Sequence, residues 1–396
     1  MESSLLSIYI TLMYVVFGTV SLLCVLSLLD AFYLPRVRTD IPVTLPQPAP
    51  LISVIIPARN EEHTIGKCLH SLLNQDYPDF EVIVVDDRST DRTAAIVSEF
   101  AAHDERVRLV TGKSLSREWL GKSHALHQGV LAARGSWFLF VDADTWHHPR
   151  SLSCSMYHCL SHEVDMLSLY PHFICRGFWE KVIQPAVGRS ILFAAPIACV
   201  NSRRKIFRIF YMAIGQFILI RRSVYEATGG HAAIRKLVTE DVELAKLVKR
   251  SGYTIHFLYG IELLHTHMYE RFSEIWRGWS RSFYPGMGNN LAMATLDNLL
   301  LFIFGTLPYL NVPVTGILLI LGVRSPDVWT LFKLGLWQWI IVFATTYIVR
   351  LRLNEYPTYF FTCPLGGIMV QWIAVHSLYS YAFKKRILWK GRDLNS

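Results

Sequence analysis

Paired cysteines are missing from this chain. Its seven cysteines are scattered, odd in number and nowhere spaced as C-x-x-C. That pattern excludes a disulfide framework or a zinc knuckle and fits a reducing compartment, with Cys154 and Cys159 expected in the core. Charge is scarce too: 18% of residues are charged against 52% hydrophobic, and mean hydropathy is +0.29, too apolar for a purely soluble protein. No basic residue precedes the first apolar segment, Ile8 to Leu29, and no small-residue cleavage site follows it. A retained anchor is therefore expected rather than a cleaved signal peptide. No recognisable nucleic-acid-binding module accompanies the net charge of +8. The cations cluster beside apolar segments, at Arg203-Arg204-Lys205, Arg208 and Arg221-Arg222, and read as contacts to anionic lipid, with no nucleic-acid partner.

Four long apolar segments are present. The first is followed by Pro35-Arg36-Val37-Arg38, which places the following region in the cytoplasm and the protein in the cell membrane as a multi-pass chain. The others are Asn298 to Val323, Val328 to Val349 and Tyr359 to Phe383. If all three cross, the tail with Lys384, Lys385, Arg386, Lys390 and Arg392 ends outside, against the charge rule. One segment is thus expected not to cross fully: either the first, broken by Pro308, Asn311 and Pro313, or the last, broken by Pro364, Gly366 and Gly367. Phe178 to Val200 is apolar but interrupted by Glu180, Lys181, Gln184 and Arg189, and is expected to lie in the interface. The expected organisation is an anchor over 1–34, a central domain over 50–290 with an interfacial region at 176–200, and a membrane domain with basic tail over 291–396.

Between these segments, strand-like and helix-like pieces alternate as in a doubly wound α/β sheet. Ile52 to Ile56 and Phe80 to Val85 read as strands, the second ending in Asp86-Asp87. Trp137 to Thr145, WFLFVDADT, reads as a buried strand ending in Asp142 and Asp144. Alternation along that strand would aim both carboxylates at one site, and no lysine or arginine nearby in sequence neutralises them. A divalent cation is the simplest counter-charge. Gly121-Lys122 opens a helix, where Lys122 can reach an anion. Glu240-Asp241 opens another, Val242 to Arg250.

Together IIPARNEE, VIVVDDRSTDRT, GKSHALHQGV with the following ARG, FVDAD, the Ala227-Thr228-Gly229-Gly230 turn and Thr239-Glu240-Asp241 resemble the inverting family 2 glycosyltransferases of the Rossmann-like GT-A fold. More narrowly, GKSHALHQGV, LSLYPH, ATGGH, MYERFSEIWRGWSRSFYPGMG and the terminal WKGR are similar to the membrane-bound carotenoid glycosyltransferases of the diaponeurosporenoate type, with hopanoid-associated relatives behind them. The resemblance implies a nucleotide-sugar donor, UDP-glucose being expected, and a lipid acceptor. It places Asp86 or Asp87 against the uracil or ribose, with Pro57, Ala58, Arg59 and Glu61 lining the same pocket. Lys122 would help hold the nucleotide, Asp142 would touch ribose or metal, and Asp144 would bind the Mg²⁺ or Mn²⁺ that bridges the phosphates. Asp241 is similar to the catalytic base, with Glu240 as the second candidate.

Related membrane synthases carry Q/R-x-x-R-W downstream, which this chain does not match. Arg277 and Arg281 are four apart with Trp279 between them. On a helix they share a face that could meet pyrophosphate, or serve as an interfacial anchor. His265 and His267, alternating on an expected strand, could reach the metal or simply be satisfied by hydrogen bonds. The missing signature speaks against a processive polysaccharide synthase. The full set of acids, Asp87, Asp142, Asp144 and Asp241, speaks against a non-catalytic nucleotide-sugar-binding protein.

Overall fold

The computed structural model describes residues 2–33, 36–383, 388–389 and 392–393. Pro35 and the tail cations Lys384, Lys385, Arg386 and Lys390 lie outside the described residues, and Arg392 is described only by its backbone. Contacts divide the chain into two units.

The catalytic unit comprises Pro35–Ile174 and Ala194–Met268, with Arg386–Ser396. Its strands are β1 (Ile52–Ala58), β2 (Phe80–Asp86), β3 (Val107–Thr111), β4 (Trp137–Phe140), β5 (Thr145–His147), β6 (Met166–Tyr170), β7 (His172–Phe173), β8 (Ile218–Arg221), β9 (Ile255–Tyr259) and β10 (Leu264–Thr266). Seven form one sheet in the order β3-β2-β1-β4-β8-β6-β9, and β5-β10-β7 form a smaller one. β1 and β2 are apolar along almost their whole length and nearly every residue is buried, as expected of parallel strands covered on both faces. Helices Ile65–Leu73, Thr93–His103 and Gly121–Ala132 supply the crossovers. The sheet is mixed, however, because β8 runs antiparallel to both β4 and β6. An antiparallel strand starts where its parallel neighbours end, so the residues entering β8 arrive at the carboxyl edge of β1, β2 and β4, where such sheets bind ligands.

Two boundaries differ from expectation. β1 runs through Pro57 to Ala58, paired as Pro57–Val85 and Ala58–Asp86. Pro57 is tolerated because it lies beyond the last β1–β4 pair, Ile55–Phe140, where β1 has become an edge. β4 stops at Phe140, so Asp142 and Asp144 sit in the turn beyond the strand rather than alternating along it. At the opposite end of the sheet Glu81, 3% exposed, accepts from Ser53 Oγ at 2.7 Å, from Arg134 N at 2.7 Å and from Arg134 Nε at 3.0 Å. The Ala133-Arg134-Gly135 stretch is therefore a clamp on the sheet, satisfying a buried carboxylate that would otherwise be costly.

The membrane unit comprises Met1–Leu34, Cys175–Phe193 and Tyr269–Lys385. Among the described residues four stretches are long and apolar enough to cross a membrane: Leu6–Tyr33, Leu291–Ile320, Pro326–Arg352 and Pro357–Ala382. The expected breaks do not interrupt them. Leu291–Ile320 continues through a π-helical turn at Leu301–Thr306, and Pro308 falls in the first turn of Leu307–Ile320, where its missing N–H is no loss. Asn311 is a packing contact, its Nδ2 donating to Leu331 O at 2.8 Å. Pro364 likewise opens Cys363–Ala382. Gly366 and Gly367 mark close approaches: a Cβ there would lie 2.8 Å from Val182 O and 2.9 Å from Gly305 O. Helices Phe178–Ala194 and Phe272–Gly286 pack within this unit, around Val182, Ile183, Val187, Ile275, Val370 and Ile373.

Candidate active site

At the carboxyl edge of the large sheet the loops after β1 and β2 are laced together. Arg59 Nη1 donates to Asp87 O at 2.6 Å, Asn60 N to Ser89 Oγ at 3.0 Å, and Glu61 N to Thr93 Oγ1 at 2.8 Å. Asp86 and Asp87 are both buried. Asp86 accepts from Ser89 N at 3.2 Å, closing the turn, and its carbonyl accepts from Gly112 N at 2.9 Å. Asp87 is held by its own N–H donating to Ala58 O at 2.8 Å. Asp91 accepts from Thr93 N at 3.0 Å and from Thr93 Oγ1 at 2.6 Å, fixing the start of helix Thr93–His103.

The turn after β4 is fixed by Val141 N donating to Ile55 O at 3.1 Å and by Thr145 Oγ1 donating to Asp142 O at 2.8 Å. From β10, Thr266 Oγ1 donates to Asp144 O at 3.3 Å. The main chain thus fixes both acids of the turn. The counter-charge of Asp142 is a lysine after all: Lys122 Nζ lies 2.7 Å from Asp142 Oδ1 and 2.8 Å from Glu240 Oε1. As a counter-charge Lys122 escaped the sequence argument, because it is a helix and a strand away in the chain, yet adjacent in the fold. Burial alone would push its amine down, but Asp142, Glu240 and Asp241 outweigh that and hold it well above the ordinary lysine range.

Asp241 opens helix Glu240–Arg250. Its Oδ1 accepts from Val242 N at 2.8 Å and its Oδ2 from Gly215 N at 3.0 Å. Burial first, and Glu240 second, raise its carboxyl above the usual carboxylate range, while Lys122 and the two amides pull the other way. A carboxylate tuned upward and held beside a cation has the properties of a proton acceptor working near neutral pH.

Gly215 was not singled out in the sequence. A Cβ there would fall 2.8 Å from Lys122 Nζ, 3.4 Å from Asp142 Oδ2 and 3.6 Å from Asp241 Oδ2. It is the glycine entering β8, and only the antiparallel course of that strand brings it here. His231 of the ATGGH stretch is buried with Nδ1 2.9 Å from Tyr225 Oη, and burial followed by Lys122 lowers its imidazole to about 3.

The remaining candidates divide. His265 lies on β10, stacked on Trp146 at 6.4 Å and edge-on to His172 at 5.4 Å; His267 follows the strand. Arg277, Trp279 and Arg281 belong to helix Phe272–Gly286 of the membrane unit. There Trp279 Nε1 donates to Gln184 Oε1 at 2.8 Å, Arg277 Nε to Ser273 O at 3.1 Å, and Arg281 O accepts from Tyr381 Oη at 3.0 Å. Among the described residues no group of three or more His, Cys, Asp and Glu could hold a metal ion by itself.

Residues 53–229 match the family described as Glycosyl transferase family 2. The chain is 27% identical over 352 residues to the 4,4'-diaponeurosporenoate glycosyltransferase of Staphylococcus aureus strain USA300, an alignment covering 86% of this chain and 88% of the relative. The enzyme of the same name from strain MRSA252 gives 27% over 353 residues. The solved mannosyltransferase PcManGT from Pyrobaculum calidifontis, in complex with GDP-Man and Mn2+, superposes with a TM-score of 0.54 at 16% identity, covering 94% of this chain and 99% of that one. The mixed sheet, the acids gathered at its carboxyl edge and these likenesses agree in supporting a family 2 glycosyltransferase, matched over residues 53–229, with a domain of the GT-A fold.

Proposed function

We propose that the enzyme transfers glucose from UDP-glucose to a lipid acceptor, a carotenoid- or terpenoid-type molecule bearing a carboxylate or a hydroxyl, with inversion at the anomeric carbon. The observation that carries this reading is the meeting of Asp142, Glu240 and Asp241 around one lysine. Support for the acceptor class comes from the printed name of the Staphylococcus aureus relatives. In a single displacement an acceptor oxygen attacks C1 of the sugar. The C1–O bond to the diphosphate breaks, and its electron pair leaves with the nucleoside diphosphate.

Asp86 or Asp87 is assigned to the uracil or ribose, with Pro57, Ala58, Arg59 and Glu61 lining the same pocket. Asp241 takes the proton of a hydroxyl acceptor. Lys122 fixes Asp142 and Glu240 and keeps Asp241 oriented. Asp144 and Asp142 would hold Mg²⁺ or Mn²⁺. Two carboxylates suit a hard cation that takes its other ligands from phosphate oxygens and water, so an all-protein cluster is not required. When bound, the cation would neutralise charge developing on the leaving diphosphate. Arg36 and Arg38 after the first apolar helix support a catalytic domain in the cytoplasm.

The test is incubation of membranes with labelled nucleotide sugars, extraction into organic solvent, and comparison with Asp241→Asn. With a hydroxyl acceptor, losing the base lowers turnover by ~10²- to 10⁴-fold and the glycosidic product resists alkali. A carboxylic acid is ionised at neutral pH, its pKa being about 4, so it needs no base. The mutant then keeps most of its turnover, and mild alkali cleaves the ester. The carboxylate is the favoured acceptor. A dead Asp241→Asn that still binds donor and an alkali-stable product would reject that choice, and no label in the solvent phase with any donor would reject the lipid acceptor itself.

A further inference from the structure

We propose that the membrane unit contains a binding site for the oxyanionic head of a lipid, with Arg189 and Arg350 as its cations. Arg350, on helix Pro326–Arg352, is 1% exposed. Its Nη1 and Nη2 each donate to Lys181 O at 3.2 Å, and its Nε is buried with no acceptor among the described residues. One turn earlier, Thr346 Oγ1 accepts from Arg189 Nη1 at 3.3 Å, which brings helix Phe178–Ala194 alongside. The two guanidinium groups lie within electrostatic reach of each other. Neither forms an ion pair among the described residues, although Glu355 acts on both. Lys181 adds a third positive charge, placed over the rings of Tyr356 and Tyr359 at 5.0 and 5.3 Å. Glu180 is turned instead to the amides of Arg176 and Gly177.

An excess of positive charge packed among membrane-length helices is expensive, and main-chain carbonyls and one hydroxyl offset only part of it. Guanidinium groups match carboxylate and phosphate oxygens in particular, because their donors are planar and paired. Tyr347 and Leu351, next in sequence to Thr346 and Arg350, and Phe193, four residues after Arg189, expose large apolar surfaces, which suit a hydrocarbon tail rather than a soluble anion. The shared chemistry is an oxyanion on an apolar chain. It could come from a carboxylic acid acceptor, which rests on the function proposed above, or from the phosphate of an anionic phospholipid.

The full chain in phosphatidylcholine nanodiscs, above neutral pH and without nucleotide sugar, is titrated with retinoic acid or retinol while tryptophan quenching is read. The acid should bind about tenfold tighter or more, the worth of one charge-assisted hydrogen bond. R189Q should reduce acid binding to the level of the alcohol. R189K keeps the charge but loses the planar fork, and should fall between them, which decides the matter if R189Q does not fold. Phosphatidylglycerol that displaces the acid identifies the phospholipid as occupant, and retention of the acid identifies a carboxylate-selective site; either supports the proposal. Equal affinity for acid and alcohol, or acid binding unchanged in both variants, overturns it. Because no donor is present, failure here leaves glycosyl transfer standing, and failure of transfer leaves this binding measurable.

Discussion

The two units differ in how their buried charges are met, although each leaves some buried polar atoms without a partner among the described residues, Ser155 Oγ and Gln216 Oε1 in the catalytic unit among them. In the catalytic unit, buried or half-buried acids come with matching donors: Asp142 and Glu240 share Lys122, Asp241 holds two amides, and Glu81 is bound by Ser53 and Arg134. In the membrane unit, Gln338 is 1% exposed, and neither its amide oxygen nor its nitrogen has a partner among the described residues. Thr306 Oγ1, in the π-helical turn, is buried in the same way. Sheet edges leave loop amides available to side chains, whereas long helices consume their own backbone donors and acceptors. Polar side chains between helices must then find one another, or something else.

The largest expected effect comes from removing the lysine. Lys122→Met leaves Asp142 and Glu240 without their shared cation, and unfolding free energy should fall by on the order of 3 kcal/mol, as for a half-buried pair losing one partner. Urea denaturation followed by tryptophan fluorescence reads it. A midpoint equal to wild type would show that the acids are not mutually dependent and would erase the contrast between the units.

Next comes acid. Burial, with His265 second, depresses His147 to about 3, and burial, with Lys122 second, does the same to His231. Both side chains must charge on unfolding, so their stabilisation is present above the unfolded value of about 6.5 and is lost as pH falls towards 3, at ~1.4 kcal/mol per pH unit each. Asp241, raised instead, gains stability over part of the same range, but burial also depresses His158 to about 3 and His256 to about 4, so the histidines prevail. The melting temperature should therefore fall between pH 7 and about pH 5, and His147→Gln should flatten that slope. A melting temperature that rises on acidification would contradict the assignment.

The smallest effect sharpens the comparison from the other side. Gln338→Leu removes an amide with no bonds to other described residues, so stability should be unchanged or raised by about 1 kcal/mol. A clear loss would mean that Gln338 is satisfied by a bound molecule, and would extend the polar interior beyond Arg189 and Arg350.

Much of the catalytic unit was legible because its signals are local. Apolar runs gave β1, β2 and β4, and acids at or just beyond strand ends gave Asp86, Asp87, Asp142 and Asp144. The Lys122 ion pairs were not legible, because they depend on which helix and strand become neighbours. Gly215 was hidden for a further reason: its role follows from the direction of β8, and an apolar run does not encode direction. In the membrane unit, Pro308, Pro364, Gly366 and Gly367 read as breaks because composition alone cannot separate a helix interrupted by glycine from one that needs glycine to let a neighbour close in.

Gly215 also offers a practical handle. Its amide proton points at Asp241 Oδ2, so its nuclear magnetic resonance frequency depends on the charge of that carboxylate. Glycine nitrogens resonate apart from most others. A single assigned peak, followed while pH is varied or donor is added, would report the ionisation of Asp241 directly, without a substrate and without altering any residue of the site.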